Sequence, residues 1–171
     1  MRLFIGIKTG CEDYLTAQQE ELKTLGRGRF THPDNLHITL KFLGEQPPNK
    51  IQGICEAIAE AGGEPFALEV GGARMFNRSG ILAADVLGDT NKLAALAARL
   101  DAALERRGYL RESRPFKAHI TLARDFVPHG DIGGIPQKRC AFSVDEVVLF
   151  ESRRENGRLV YVPLFTHPLG G

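Results

Sequence analysis

The chain has 171 residues, 43% of them apolar and 25% charged, with a formal net charge of +1. Such values describe one globular domain, or two small lobes sharing a core, and exclude extended disorder. Near-neutral charge also excludes a global field for nucleic acid, so any such contact has to come from a local patch.

Leu3 to Ile7 reads as a first strand. Cys11, Leu15, Leu22 and Leu25 then recur at helical spacing, and Gly26, Arg27 and Gly28 are expected to end that helix and open a loop. A turn-rich approach, Thr31 to Asn35, leads into a strand over Leu36 to Leu43. Asn49 as N-cap and Gln52 at the capping-box position start a second helix, with Ile51, Ile54, Cys55 and Ile58 as its apolar stripe and Gly62-Gly63 as its stop. Phe66 to Val70 and Ile81 to Leu87 are expected strands, separated by Gly71, Gly72 and an Asn77-Arg78-Ser79-Gly80 turn. Asp89 or Thr90 caps a third helix carrying Leu93, Leu96, Leu100 and Leu104, with Gly108 after its end. The second half closes with a strand over Ala118 to Arg124, an exposed Gly- and Pro-rich loop from Pro128 to Pro136, and strands Phe142 to Phe150 and Arg158 to Leu164.

This order repeats. Strand, helix, loop and strand occur from Leu3 to Leu43 and again from Ile81 to Arg124, as expected of two similar units related by a pseudo-two-fold axis. Each unit ends on the same tetrapeptide, His37-Ile38-Thr39-Leu40 and His119-Ile120-Thr121-Leu122. Alternation along a strand puts His37 and Thr39 on one face with Ile38 and Leu40 on the other, and divides the second copy the same way.

Cys11, Cys55 and Cys140 are widely spaced and form no paired-cysteine motif, so the expectation is neither a disulfide framework nor a zinc knuckle, but a reducing, cytoplasmic setting. The apolar start is too short for a signal-peptide core, and no stretch approaches membrane-spanning length. Basic residues gather around the second motif (Arg106, Arg107, Arg111, Arg114, Lys117, Arg124) and near the end (Arg153, Arg154, Arg158). A solvated surface accounts for most of them.

Histidine exchanges protons near neutrality, and a facing pair can divide the work, one neutral as base and one charged as acid. Two threonine hydroxyls can donate to the non-bridging oxygens of a phosphate held between them. That set can open a cyclic phosphodiester by attack of water, with no metal or other cofactor. His32, His129 and His167, the remaining histidines, lie beside prolines or in loops and are assigned no chemistry. Two histidines without a nearby carboxylate or histidine cluster supply too few ligands for zinc.

The segments Asn35 to Glu45 and Arg114 to Arg124, which contain the two tetrapeptides, resemble the signature segments of the two-histidine phosphoesterase superfamily. Together with Arg2 to Ile7 and the stretch from Leu149 to Leu164, they are similar to the branch of RNA 2′,3′-cyclic phosphodiesterases of bacteria and archaea, first described as 2′-5′ RNA ligases. Ala118 departs from the proline common in that branch before the second histidine. The resemblance implies a bilobed α+β fold of two antiparallel sheets forming a V-shaped cleft, within a single domain over 1–171. It further implies His37 as proton donor to the leaving 3′ oxygen, His119 as proton acceptor from water, and Thr39 and Thr121 as phosphate ligands. The residues alone leave either histidine free to be the acid.

Strand parity places Arg124 on the buried-face side, opposite His119, unless a bulge or frayed end swings it to the phosphate, where the resemblance puts it. The same parity puts Lys41 at the rim of the cleft and Phe42 in the core. The implied partner is RNA with a 2′,3′-cyclic phosphate end, or a small cyclic nucleotide, acted on by a monomer. Joining RNA ends through a 2′-5′ bond at the same site, and a non-catalytic module that holds RNA ends, are the alternatives.

Overall fold

The computed structural model describes residues 1–135 and 138–170. Among them are nine strands and three α-helices, in the order β1 (Arg2–Ile7), α1 (Glu12–Lys23), β2 (Gly26–Phe30), β3 (Ile38–Glu45), α2 (Ile51–Ala61), β4 (Phe66–Met75), β5 (Leu82–Gly88), α3 (Thr90–Glu105), β6 (His119–Pro128), β7 (Cys140–Val144), β8 (Glu146–Glu155) and β9 (Arg158–Pro168). The fold is α+β, and every strand pair is antiparallel.

The strands form one curled sheet in the order β7-β4-β5-β6-β3-β1-β8-β9, with β2 on the outer part of β6. The two expected sheets are therefore two wings of one sheet, and a single pair, Ile38 with Ile120, joins them at β3 and β6. The order is symmetric about that joint. Motif strands β3 and β6 lie innermost, the opening strands β1 and β5 of the two repeats lie next to them, and β8 and β4 follow. The centres of the two tetrapeptides thus meet on the pseudo-axis.

Ile38, Leu40, Ile120 and Leu122 face the helices and belong to one continuous core. Leu93, Leu96, Leu100 and Leu104 complete it from α3, and each is buried to 1% exposure or less. Burial of such a side chain contributes roughly 1.5–3 kcal/mol, which explains how that leucine stripe holds a helix whose cap residue, Asp89, makes no side-chain capping bond. A second, small cluster of Phe4, Val148 and Phe150 lies apart from the main core, with Tyr161 packed against it. Among the described residues no helix is long and apolar enough to cross a membrane.

Several expectations fail locally. Gly26 to Gly28 do not open a loop; they begin β2, paired with Pro128 and Val127 of β6. Their lack of a side chain serves close approach, since a Cβ on Gly26 would lie 2.6 Å from the Val127 carbonyl oxygen. Likewise Gly71 and Gly72 do not end a strand, because β4 runs through them on a bulge between Val70 and Ala73. The expected strand from Phe142 to Phe150 breaks at Asp145 into β7, which pairs with β4, and β8, which pairs with β1. Asn49 does not cap α2. Pro48–Lys50 form a 3₁₀ turn, and the cap position falls to Lys50 with no side-chain bond. The loop after β6 holds one 3₁₀ turn, Ile132–Gly134; the Pro136 end of the expected loop is outside the described residues. The cysteine expectation is also corrected, since Cys11 and Cys140 are joined in a disulfide between the start of α1 and β7, leaving Cys55 as the free thiol.

Candidate active site

The two motifs sit on opposite wings, and the cleft between them, of about 810 Å³, is lined by His37, Thr39, His119, Thr121 and Arg124 together. All five residues singled out for chemistry are therefore in one place. His37 lies just before β3, behind the 3₁₀ turn Pro33–Asn35. That turn is anchored where the Asn35 side-chain amide donates to the Leu159 carbonyl of β9 at 2.9 Å. His119 opens β6.

Each imidazole is fixed by its own backbone in the same way. His37 Nδ1 is 2.7 Å from the carbonyl of Asn35, and His119 Nδ1 is 3.0 Å from that of Lys117. A carbonyl only accepts, so Nδ1 carries the proton in both rings, and Nε2 is left to take or give one. Thr39 then donates its hydroxyl to neutral His37 Nε2 across 2.7 Å. Each ring also leans on an aromatic. His37 lies 4.9 Å from Phe4 and edge-on to Tyr161 at 5.2 Å, while His119 stacks on Phe76 at 3.9 Å. Gly6 makes room for this, because a Cβ there would meet the Ile38 carbonyl oxygen at 2.7 Å and His37 Cδ2 at 3.3 Å.

Burial is the main cause that lowers the pKa of both histidines below the usual imidazole value. At His37 the Asn35 carbonyl opposes it, and the nearby charges of His119 and Arg124 add to it. At His119 the Lys117 carbonyl opposes it, and Arg124 and Arg74 add to it. Arg124 lines the cleft with both rings.

A bulge brings it there. Between β5 and β6, Leu82 pairs with Ala123 and Ala83 with Thr121, so Leu122 is an extra residue. Leu122 and Ala123 both face the core, and the next residue, Arg124, returns to the cleft side. The Leu122 carbonyl accepts from Thr31 N, just beyond β2, and from the buried Gln19 side chain of α1. The first motif carries the equivalent defect. Ile5 pairs with Lys41 and Gly6 with Thr39, which makes Leu40 the extra residue.

This second bulge reverses two parity expectations. Lys41 does not rim the cleft: its side chain is 9% exposed and bonds Asp101 of α3 at 2.7 Å and the Leu110 carbonyl at 2.9 Å. Burial alone would raise the Asp101 carboxyl pKa, but the bonds from Lys41 and from the Glu112 amide outweigh it and hold the value low. Phe42 does not face the core; it is 69% exposed and lines the cleft. Phe42 and Arg124 are the same position of the two repeats, each three residues beyond its motif threonine. Sequence reasoning missed Phe4, Phe76 and Tyr161 as partners of the imidazoles. Phe76 precedes a turn in an unpatterned stretch, and nothing in the chain marks it.

The basic residues divide. Arg106 and Arg107 are held by Glu60. Arg124, Arg153 and Arg154 line the cleft, and Arg158 joins Arg124 in a side pocket against His32 and Tyr161. Among the described residues no group of three or more His, Cys, Asp or Glu could hold a metal ion.

The sequence matches the family model of LigT-like phosphoesterases over residues 5–82 and 87–161. The chain belongs to that family. An RNA 2′,3′-cyclic phosphodiesterase of Geobacillus stearothermophilus is 32% identical over 136 residues, 74% of this chain but only 43% of the relative's own length. One of the same name from Archaeoglobus fulgidus is 28% identical over 90% of this chain and 89% of the relative. The LigT-like fold is also shared with a solved structure of E. coli LigT complexed with 3′-AMP, at a TM-score of 0.81 and 26% identity, covering 99% of this chain and 98% of that one.

Proposed function

We propose that the protein is a metal-independent RNA 2′,3′-cyclic phosphodiesterase that leaves a 2′-phosphomonoester. The observation that carries this reading is the pair of backbone-tethered imidazoles, each followed two residues later by a threonine hydroxyl, facing one another across a cleft that also holds Arg124. Relatives named for the same activity support it.

The cyclic diester sits between the wings, with its non-bridging oxygens on Thr39, Thr121 and the Arg124 guanidinium. His119 Nε2 takes a proton from water as the oxygen attacks phosphorus. The P–O3′ bond breaks on the opposite side, and protonated His37 gives its Nε2 proton to the departing 3′ oxygen. One water is consumed, and the phosphate stays on the 2′ oxygen. Charge that builds on the non-bridging oxygens is met by Thr121, Arg124 and the Thr39 hydroxyl, which protonation of His37 releases from Nε2, and one such donor is worth on the order of 10²–10³ in rate. Acid and base both come from imidazoles, so a bound metal has no step to perform in this scheme.

The test is incubation of the protein, in chelator, with an oligonucleotide ending in a 2′,3′-cyclic phosphate. A 2′-phosphate end is expected. His37→Ala and His119→Ala are each expected to lower turnover by about 10²–10⁴ with an unchanged circular dichroism spectrum. Full activity in either variant, or loss of activity on chelation, overturns the reading.

A further inference from the structure

The phosphate-holding residues occupy only the inner part of the cleft. On the first wing the same face continues outward through side chains that take no part in the hydrolytic scheme. β1 and β8 pair Arg2 with Ser152 and Phe4 with Phe150, and β8 and β9 pair Ser152 with Tyr161 and Arg154 with Leu159. Cross-strand partners share a face, so Arg2, Phe4, Phe150, Ser152, Arg154 and Tyr161 form one surface. Phe42 joins it beside Phe4, with ring centres 6.3 Å apart.

Three properties of this strip point to a ligand. Phe42 is a large apolar ring left mostly in water by a bulge that turned it out of the core. Arg2 and Arg154 pair with no carboxylate among the described residues; Arg154 donates only to the Gly157 carbonyl. By contrast Arg29 and Arg153, which line the same cleft, are each held by acidic partners. The strip is also continuous with the catalytic end. Tyr161 lines the same cleft as Arg2 at the outer end and Arg124 at the inner end. An open aromatic face beside unpaired cations is how single-stranded nucleic acid is held without base readout: bases stack on the ring, and the backbone follows the charge. Arg154 lies two residues along β8 from Ser152, the partner of Arg2. That offset is roughly 7 Å along the wing, which suits successive phosphates. The cleft volume, in the upper part of the roughly 300–1,000 Å³ range of small-ligand sites, exceeds what a lone cyclic phosphate fills.

We propose that Phe42, Arg2 and Arg154 form a subsite for the nucleotide preceding the cyclic-phosphate end of a single-stranded RNA, making the protein prefer oligonucleotide ends to cyclic mononucleotides. This rests on the phosphodiesterase reading. It assigns to Phe42 and Arg124, equivalent in the two repeats, different parts of one substrate: the base upstream and the reacting phosphate.

The test compares a 2′,3′-cyclic mononucleotide with a single-stranded pentamer ending in the same nucleotide. The unaltered protein is expected to show the higher kcat/KM on the pentamer, by about 10-fold or more at low salt. Phe42→Ala, and separately Arg2→Ala with Arg154→Ala, should cut that value roughly 5- to 100-fold, chiefly through KM, and leave the cyclic mononucleotide unaffected. Binding of a fluorescent pentamer carrying the product 2′-phosphate gives a readout independent of turnover. The arginine variant should flatten its salt dependence by about 0.7 in log–log slope for each phosphate that it no longer neutralises. Equal losses on both substrates, or no loss on the pentamer, overturn the subsite. No turnover of either substrate by the unaltered protein overturns the phosphodiesterase reading instead, and the binding assay then decides the subsite alone.

Discussion

His37 and His119 share a tetrapeptide but not an environment. His37 is hemmed in by Phe4, Tyr161 and the Thr39 hydroxyl, whereas His119 stacks on Phe76 within reach of the Arg74 and Arg124 charges. In the free protein both rings favour the neutral form, for which burial is the leading cause. Turnover in the proposed scheme needs one ring protonated. With both pKa values below about 6.5, the singly protonated pair is most populated on the acidic side of that value and is lost as pH rises. The bell-shaped profile of kcat/KM, which reports the free protein, is therefore expected to peak below about pH 6.5. A bound phosphate places a negative charge between the rings and raises both, so the kcat profile should peak at a higher pH than that of kcat/KM. The limbs of each bell belong to the coupled pair and not to either ring. Steady-state rates on a cyclic mononucleotide across pH check both points, and a kcat/KM optimum well above neutrality would contradict the burial argument.

At the scale of the element, the histidine and threonine of each motif were legible because strand alternation holds across the first three residues of the tetrapeptide. Beyond them it fails twice, at Leu40 and at Leu122, and those two bulges decide where Lys41, Phe42 and Arg124 go. A bulge leaves little trace in one sequence. Leu122-Ala123 are two consecutive residues fit for burial, which is compatible with one, but Leu40-Lys41 hide theirs, since the lysine is buried only because Asp101 of a distant helix meets it. The β2 strand was illegible for a related reason: its glycines look like loop residues, yet their role is to let β2 lie against β6. That gives a test. In Gly26→Ala the new methyl meets the Val127 carbonyl oxygen, and backbone cannot give way as a side-chain tip can. A loss of about 1–3 kcal/mol is expected, or a fall in melting temperature of roughly 3–10 °C for a chain of this size. An unchanged melting temperature would mean that β2 does not pack on Phe126 and Val127.

Across the whole molecule, the repeated order read from the sequence is seen in the strand path, which is symmetric about the Ile38–Ile120 pair except for β2. That extra strand on β6 has no counterpart in the first wing among the described residues. What no repeat could reveal is that the helices cross over. From α1, in the first repeat, Tyr14 and Gln18 donate to the Gly71 carbonyl of β4 and Gln19 donates to that of Leu122 in β6, all in the second wing. From α3, in the second repeat, Asp101 pairs with Lys41 of β3 in the first. Each helix therefore braces the opposite motif strand, and the cleft is held open from behind by contacts between sequence-distant halves. The Cys11–Cys140 disulfide lies on this seam, tying the start of α1 to β7 at the edge of the second wing. A bond across a sequence separation of 129 residues closes a loop over most of the 171-residue chain in the unfolded state, and removal of a native disulfide costs about 2–5 kcal/mol. Cys140→Ala is the cleaner variant because Cys140 is less buried than Cys11. Under oxidising conditions its melting temperature should fall by roughly 5–15 °C relative to the unaltered protein. With excess reductant the two should melt within a few degrees of each other, since both then rely on the same helix contacts. The reduced protein is expected to keep its turnover, because the histidines, threonines and Arg124 are positioned by β3, β6 and the hydrogen bonds from α1, none of which needs the sulfur link. Equal melting temperatures in oxidant would show that the two sulfurs stay unbonded, and lost turnover in reductant would show that the link also sets the spacing of the wings.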